Sequence, residues 1–178
     1  MTTPAEVVGF WREAGMGKWF RGGSAFDAEC LAHFDDAHHA AARREFDSWM
    51  ADAEGALALL VLLDQIPRNI HRGSAHAFAT DGLARWHALQ ALETGFDAAT
   101  EAGLRMFFYL PFEHSEDIAD QHRAVALITA LGDADLLGYA HAHREVIARF
   151  GRFPHRNAAL GRSNSIDEQA WLDAGGGF

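Results

Sequence analysis

The sequence predicts an all-α fold, and three observations carry that reading. Ala, Leu, Glu and Arg are abundant, while runs of Val, Ile and Thr are scarce. Apolar residues recur at helical spacing, and no segment alternates with the period of two that marks a strand. Proline, glycine and small polar residues punctuate the chain where helices would begin or end.

Taken in order, a first helix is expected from about Ala5 to Ala14. Gly15 to Gly23 reads as a glycine-rich loop, and Ser24 as the cap of a second helix with Phe26, Cys30 and Phe34 along one stripe. A third helix runs from about Ala53 to Ile66. Its segment Ala56 to Leu63 is apolar on every face, so it should be buried, and Pro67 should stop it. Ser74 should cap a fourth helix bearing Phe78, Gly82, Trp86 and Leu89 and ending at Gly95. A fifth spans about Thr100 to Leu110 and stops at Pro111. Ser115 should cap a sixth that ends at Gly132, with Glu116 and Asp117 in its first turn. A seventh runs from about Asp135 to Phe150, and a short helix from about Asp167 to Asp173 follows.

Pro67, Pro111 and Pro154 recur at intervals of about 43–44 residues, each interval holding two helices, which suits stacked antiparallel hairpins of a tetratricopeptide-like array with about 7–9 helices. The full tetratricopeptide consensus is absent. With no linker or low-complexity segment, residues 1–178 read as a single domain.

Composition narrows the function. A net charge of −10 argues against a phosphate-reading nucleic-acid binder. No apolar run approaches the length of a membrane span, the N-terminus lacks the pattern of a signal peptide, and the lone Cys30 forms no internal disulfide, so a cytoplasmic setting is expected.

Short loops would bring the ends of helices three, five and seven to one pole, with the starts at Ser74 and Ser115. Each end carries a polar string: Pro67-Arg68-Asn69, Pro111-Phe112-Glu113-His114 and Pro154-His155-Arg156-Asn157. Arginines beside helix N-termini suit a small anionic ligand. Asp64, Arg68, Asn69, Arg152, Arg156 and Asn157 are the candidate ligand-binding residues, and Glu113, His114, Asp117 and His155 the candidates for acid–base work.

Each candidate also has a structural reading. Asp64, at the end of a buried helix, needs a cationic partner, Arg68 or Arg72, and the pair can simply tie down the loop. Glu116 and Asp117 suit a helix start, and Arg152, His155, Arg156 and Arg162 can cap helix carbonyls. His143, on a stripe with Tyr139, Val146 and Phe150, reads as a hydrogen-bonded core residue. Asp35, Asp36, His38 and His39 read as a solvated face, with adventitious metal binding as the lesser alternative. No metal and no cofactor is expected, since neither a His-Glu-x-x-His motif, paired cysteines nor a dinucleotide fingerprint is present. Whether the domain is an enzyme stays open, the alternative being an interaction module that holds a peptide or protein partner in a helical groove.

Three strings resemble the bacterial family known as domain of unknown function 924: Leu63-Asp64-Gln65-Ile66-Pro67-Arg68-Asn69, Tyr109-Leu110-Pro111-Phe112-Glu113-His114-Ser115-Glu116-Asp117 and Arg149-Phe150-Gly151-Arg152-Phe153-Pro154-His155-Arg156-Asn157. Ala77 to Asp81, Leu160 to Ser163, and Trp19-Phe20 with Phe26-Asp27 fit it too. The chain departs from it at Ile66, where Phe is expected, and at Asn164-Ser165-Ile166. The resemblance implies a tetratricopeptide-type helical array and brings no catalytic residues with it, so the candidates stand on their own chemistry.

Overall fold

A computed structural model describes residues 2–178. It is all-α, with no strand among the described residues. The chain forms two compact units. One holds the residues up to Arg72 together with His76–Pro111, the other Gly73–Ala75 and Phe112–Phe178.

In the first unit, α1 covers Pro4–Arg21 and α2 covers Gly23–Ala42. The expected glycine-rich loop is therefore mostly helix. Gly15 absorbs a kink at φ 64°, and Gly17 to Arg21 continue as helix. Ser24 lies inside α2, whose cap is Gly22. Phe26, Cys30 and Phe34 are buried as their spacing predicts, and burial raises the Cys30 thiol to about 12, which makes it an inert core residue.

The buried helix forms one nearly continuous rod: α3 at Ala53–Leu60, a π turn at Val61–Gln65, and α4 at Ile66–Ile70. Asp52 caps it by accepting from the Gly55 N–H at 2.8 Å. Gly55 itself is required, because a Cβ there would meet the Trp49 carbonyl oxygen at 2.0 Å.

Pro67 does not stop this rod. Proline leaves a carbonyl one turn earlier without its usual donor. Here His38 Nδ1 bonds the Leu62 oxygen at 2.8 Å and the Thr80 hydroxyl donates to the Leu63 oxygen at 2.5 Å. Side chains from elsewhere in the unit satisfy the carbonyls of the π turn, and the helix passes through the proline. Leu59, Leu60, Leu62, Leu63 and Ile66 are almost fully buried, as are Trp11, Phe26, Phe107 and Phe108.

Ser74 caps no helix. The fourth helix, α5, starts later, at Asp81–Thr94, and ends at Gly95 in the left-handed conformation as predicted. A short α6 (Phe96–Ala99) comes next, and the expected fifth helix is broken into α7 (Ala102–Arg105), a 3-10 turn at Met106–Phe108 and α8 (Leu110–Glu113), which begins just before Pro111.

In the second unit, α9 (Ile118–Leu131) and α10 (Ala134–Phe150) pack against each other as a hairpin, and α11 (Ile166–Asp173) follows. Asp117, not Ser115, caps α9, and Asp133 caps α10. Gly132 and Gly151 end the two helices as read from the sequence. Ile128, Phe112 and Phe153 are the largest fully buried side chains here.

Candidate functional site

The sequence candidates fall into two clusters, one in each unit. In the first unit, the π turn carries Asp64, which is 1% exposed. Its partner is Arg68, one turn on: Arg68 Nη1 lies 3.4 Å from Asp64 Oδ1 and also bonds the Asp64 carbonyl. Asp81, at the start of α5, grips the same guanidinium through both oxygens at 3.0 and 3.1 Å. Burial would lower the Arg68 pKa, but the two carboxylates outweigh it and hold the group above its ordinary value.

Asn69 reaches back to the Gln65 carbonyl, and Arg72 pairs with Asp27 rather than Asp64. Of the two partners considered for Asp64, geometry thus selects Arg68. Asp81 was legible only as part of a family-like string. With two carboxylates around one guanidinium, this cluster closes on itself.

In the second unit, the short helix α8 delivers Glu113, which is 3% exposed. Gln121 of α9, fully buried, donates to the carbonyls of Glu113 and Ser115 and fixes the turn between them. Opposite stands His143 of α10, whose Nδ1 lies 3.2 Å from Glu113 Oε1 and 2.9 Å from the Tyr139 carbonyl.

A carboxylate at that distance would normally keep an imidazole protonated. Burial outweighs it, with His114, Arg156 and His155 acting in the same direction, and the His143 pKa falls to about 3. The ring is neutral near pH 7. Both neighbours of Nδ1 are acceptors, so the proton sits on Nδ1 and Nε2 keeps its lone pair.

Around this dyad lie three of the sequence candidates, His114, Arg156 and His155. His114 is 6.2 Å from the His143 ring. Arg156, buried, donates to the His114 carbonyl at 3.0 Å and stacks its guanidinium over Phe153 at 4.4 Å. Phe153 in turn meets His143 edge-on at 5.6 Å and His155 at 5.5 Å. Asn157 is fully buried; its amide donates to Asn164, and its side-chain oxygen finds no partner among the described residues. Phe178 stacks flat on His143 at 3.6 Å.

Two candidates are placed elsewhere. Asp117 is exposed, and its carboxylate accepts from the Ala119 N–H. A carboxylate already fills the N-terminus of α9, and Ser115 and Ser74 cap nothing, so helix starts do not supply the anion cradle that the sequence suggested. Arg152 is committed to Glu168 through two bonds of 2.6 and 2.7 Å and to the Ser163 carbonyl. Arg152 and the Ser165 N–H hold Glu168 down at about 2.

Arg162 makes the same kind of fork with Glu116, which also accepts from the Phe153 N–H at 2.8 Å. Burial would raise Glu116, yet Arg162 and that N–H bring it below its usual value. These pairs fasten the segment after α10; they do not face the dyad as free charges.

Sequence reasoning placed His143 in the core and missed its contact with Glu113. The one signal available was a polar ring on an otherwise apolar stripe. A separation of 30 positions along the chain from Glu113 hid the pairing.

The family model described as "Bacterial protein of unknown function (DUF924)" matches residues 7–176. A solved structure, a protein of unknown function (ATU0120) from Agrobacterium tumefaciens, is similar with a TM-score of 0.93 and 50% sequence identity, over 96% of this chain and 97% of that one. No curated protein matches.

Proposed function

The chain belongs to the bacterial family DUF924, and within it we propose that the second unit binds a small acidic molecule and moves a proton on it. The observation that carries this reading is the buried contact between Glu113 and His143. It orients a neutral imidazole with the lone pair of Nε2 as a hydrogen-bond acceptor for a ligand; burial makes this ring too weak a base to hold a proton near neutral pH, so proton transfer falls to the neighbouring histidines. Arg156 supplies the positive charge for the ligand's acidic group, and Phe153, in contact with both Arg156 and His143, gives the two a common apolar support that strengthens each contact. His114 and His155 are the groups able to exchange protons there.

The test is a thermal-shift titration with phosphate, sulfate and acetate, against sodium chloride at equal ionic strength. A ligand at a hundred times its dissociation constant should stabilise the protein by about 2.7 kcal/mol. Arg156→Gln should lose the shift. If no anion stabilises the protein beyond the salt control, or if the variant responds like wild type, the reading fails.

One observation favours a second reading, that of a module holding a peptide. The segment ending in Phe178 lays its ring on His143 and touches Phe153 and His155. An aromatic side chain on a peptide thus suits the place. If Phe178→Ala protein is stabilised by a Gly-Gly-Gly-Phe peptide and by no anion, the second reading takes precedence.

A further inference from the structure

The first unit contains a group of imidazoles that the reading above does not use. On α2, Asp35 and His39 stand one turn apart, with His39 Nε2 3.7 Å from Asp35 Oδ1. His71, which closes α4, comes against them from the other side. Its ring centroid lies 5.8 Å from that of His39, 5.6 Å from His38 and 5.4 Å from His76. The sequence showed only the α2 side of this group, which read as a solvated face. His71 arrives because α4 packs on α2.

We propose that Asp35, His39 and His71 form a binding site for one divalent transition-metal ion of the zinc, cobalt or nickel type. Three features carry the proposal. One ligand atom from each of the three residues lies within 4.8 Å of the other two. Ligands about 2.0–2.1 Å from a tetrahedral ion sit roughly 3.4 Å apart, so modest side-chain rotation closes the set. Asp35 and His39 are about half exposed and free to make that rotation.

The second feature is His71 Nε2. It is buried and has no hydrogen-bond partner among the described residues. A buried ring nitrogen without a partner is costly, and a cation would satisfy it. The third is chemical type. Two imidazoles and a carboxylate suit borderline ions such as zinc and nickel far better than magnesium or calcium, which take oxygen donors. His38 adds a neighbouring ring fixed by its bond from Nδ1 to the Leu62 carbonyl, and lies outside the three-residue set.

Such an ion would tie the end of the buried rod to α2. The experiment uses tag-free protein, stripped with a chelator and titrated with zinc chloride by calorimetry. Cobalt chloride serves as a spectroscopic probe, because a tetrahedral cobalt site gives visible absorption bands. The expected result is one ion per chain, a rise in melting temperature, and for cobalt an imidazole-type spectrum.

His71→Ala and His39→Ala should each weaken binding by at least about tenfold. His39 is exposed, so that variant should fold even if His71→Ala does not. His122→Ala, on the exposed face of α9, should bind as wild type. Absence of one-to-one binding overturns the proposal, and so does binding that survives His39→Ala unchanged, since the ion would then sit elsewhere.

Discussion

Two buried carboxylates, one in each unit, receive opposite treatment. Asp64 faces Arg68, a cation that a second carboxylate, Asp81, also holds. Glu113 faces His143, an imidazole that burial keeps neutral. The one permanent cation of the first cluster is shared by two carboxylates, so the group opposite Asp64 stays charged at any pH near neutral. The second cluster pairs a carboxylate with an uncharged ring whose second nitrogen can accept a hydrogen bond from a ligand. An ion pair of the first kind holds a helix in place, while a dyad of the second kind retains hydrogen-bonding capacity. Burial alone does not separate the two; the identity of the partner does.

The sharpest way to break this comparison is at Asp64. Replacing it with Ala leaves a buried guanidinium with one carboxylate instead of two and should cost about 3–5 kcal/mol in urea denaturation. A neutral effect would mean that Asp81 alone suffices and that the first cluster is less closed than its geometry indicates.

A second effect, spread over several pH units, tests the dyad. The His143 pKa lies at about 3 in the folded chain, below its ordinary value of 6.5. Between those values the unfolded chain binds the extra proton. The stability contributed by the neutral ring is therefore complete above pH 6.5 and is lost as the pH falls toward 3. His143→Gln should flatten the pH dependence of stability across that window by up to about 1.4 kcal/mol per pH unit. If the two proteins keep parallel profiles, His143 is protonated by Glu113 and the contrast with Arg68 disappears.

The smallest expected effect lies on the surface. Arg12 and Glu101 bond at 2.7 Å, but both side chains are about half exposed. Arg12→Met should change stability by less than about 1 kcal/mol. A loss as large as that of Asp64→Ala would show that exposure, too, fails to rank these pairs.

Much of the fold was legible because its signals are local. Gly95, Gly132 and Gly151 end their helices where left-handed residues are needed, and the apolar run before Asp64 announced a buried rod with a carboxylate that wanted an arginine, Arg68 or Arg72. Caps were less legible. Ser74 and Ser115 have the right chemistry, but α9 is capped by the later and stronger acceptor Asp117, and α5 starts after Thr80 with no side-chain cap. Pro67 was misread because its tolerance depends on His38 and Thr80, residues far away in the chain. The dyad was hidden for the same reason. The arginine forks were half visible: the cations were found, yet their partners, Glu168 and Glu116, read only as helix-start acids or not at all.

The π turn at Val61–Gln65 has a consequence for how this chain can vary in length. A π turn amounts to an α-helix with one residue inserted. Deleting any one residue from it would restore a regular helix and leave no gap, so the lesion would be nearly silent in helix content. The turn covers in five residues about the rotation that an α-helix covers in four, so the side chains beyond it would keep their places, Arg68 with Asp81 and His71 against His39. A single-codon deletion in the regular α3 segment has no such turn to absorb it. It would swing every later side chain by about 100° around the axis and misalign those contacts at once.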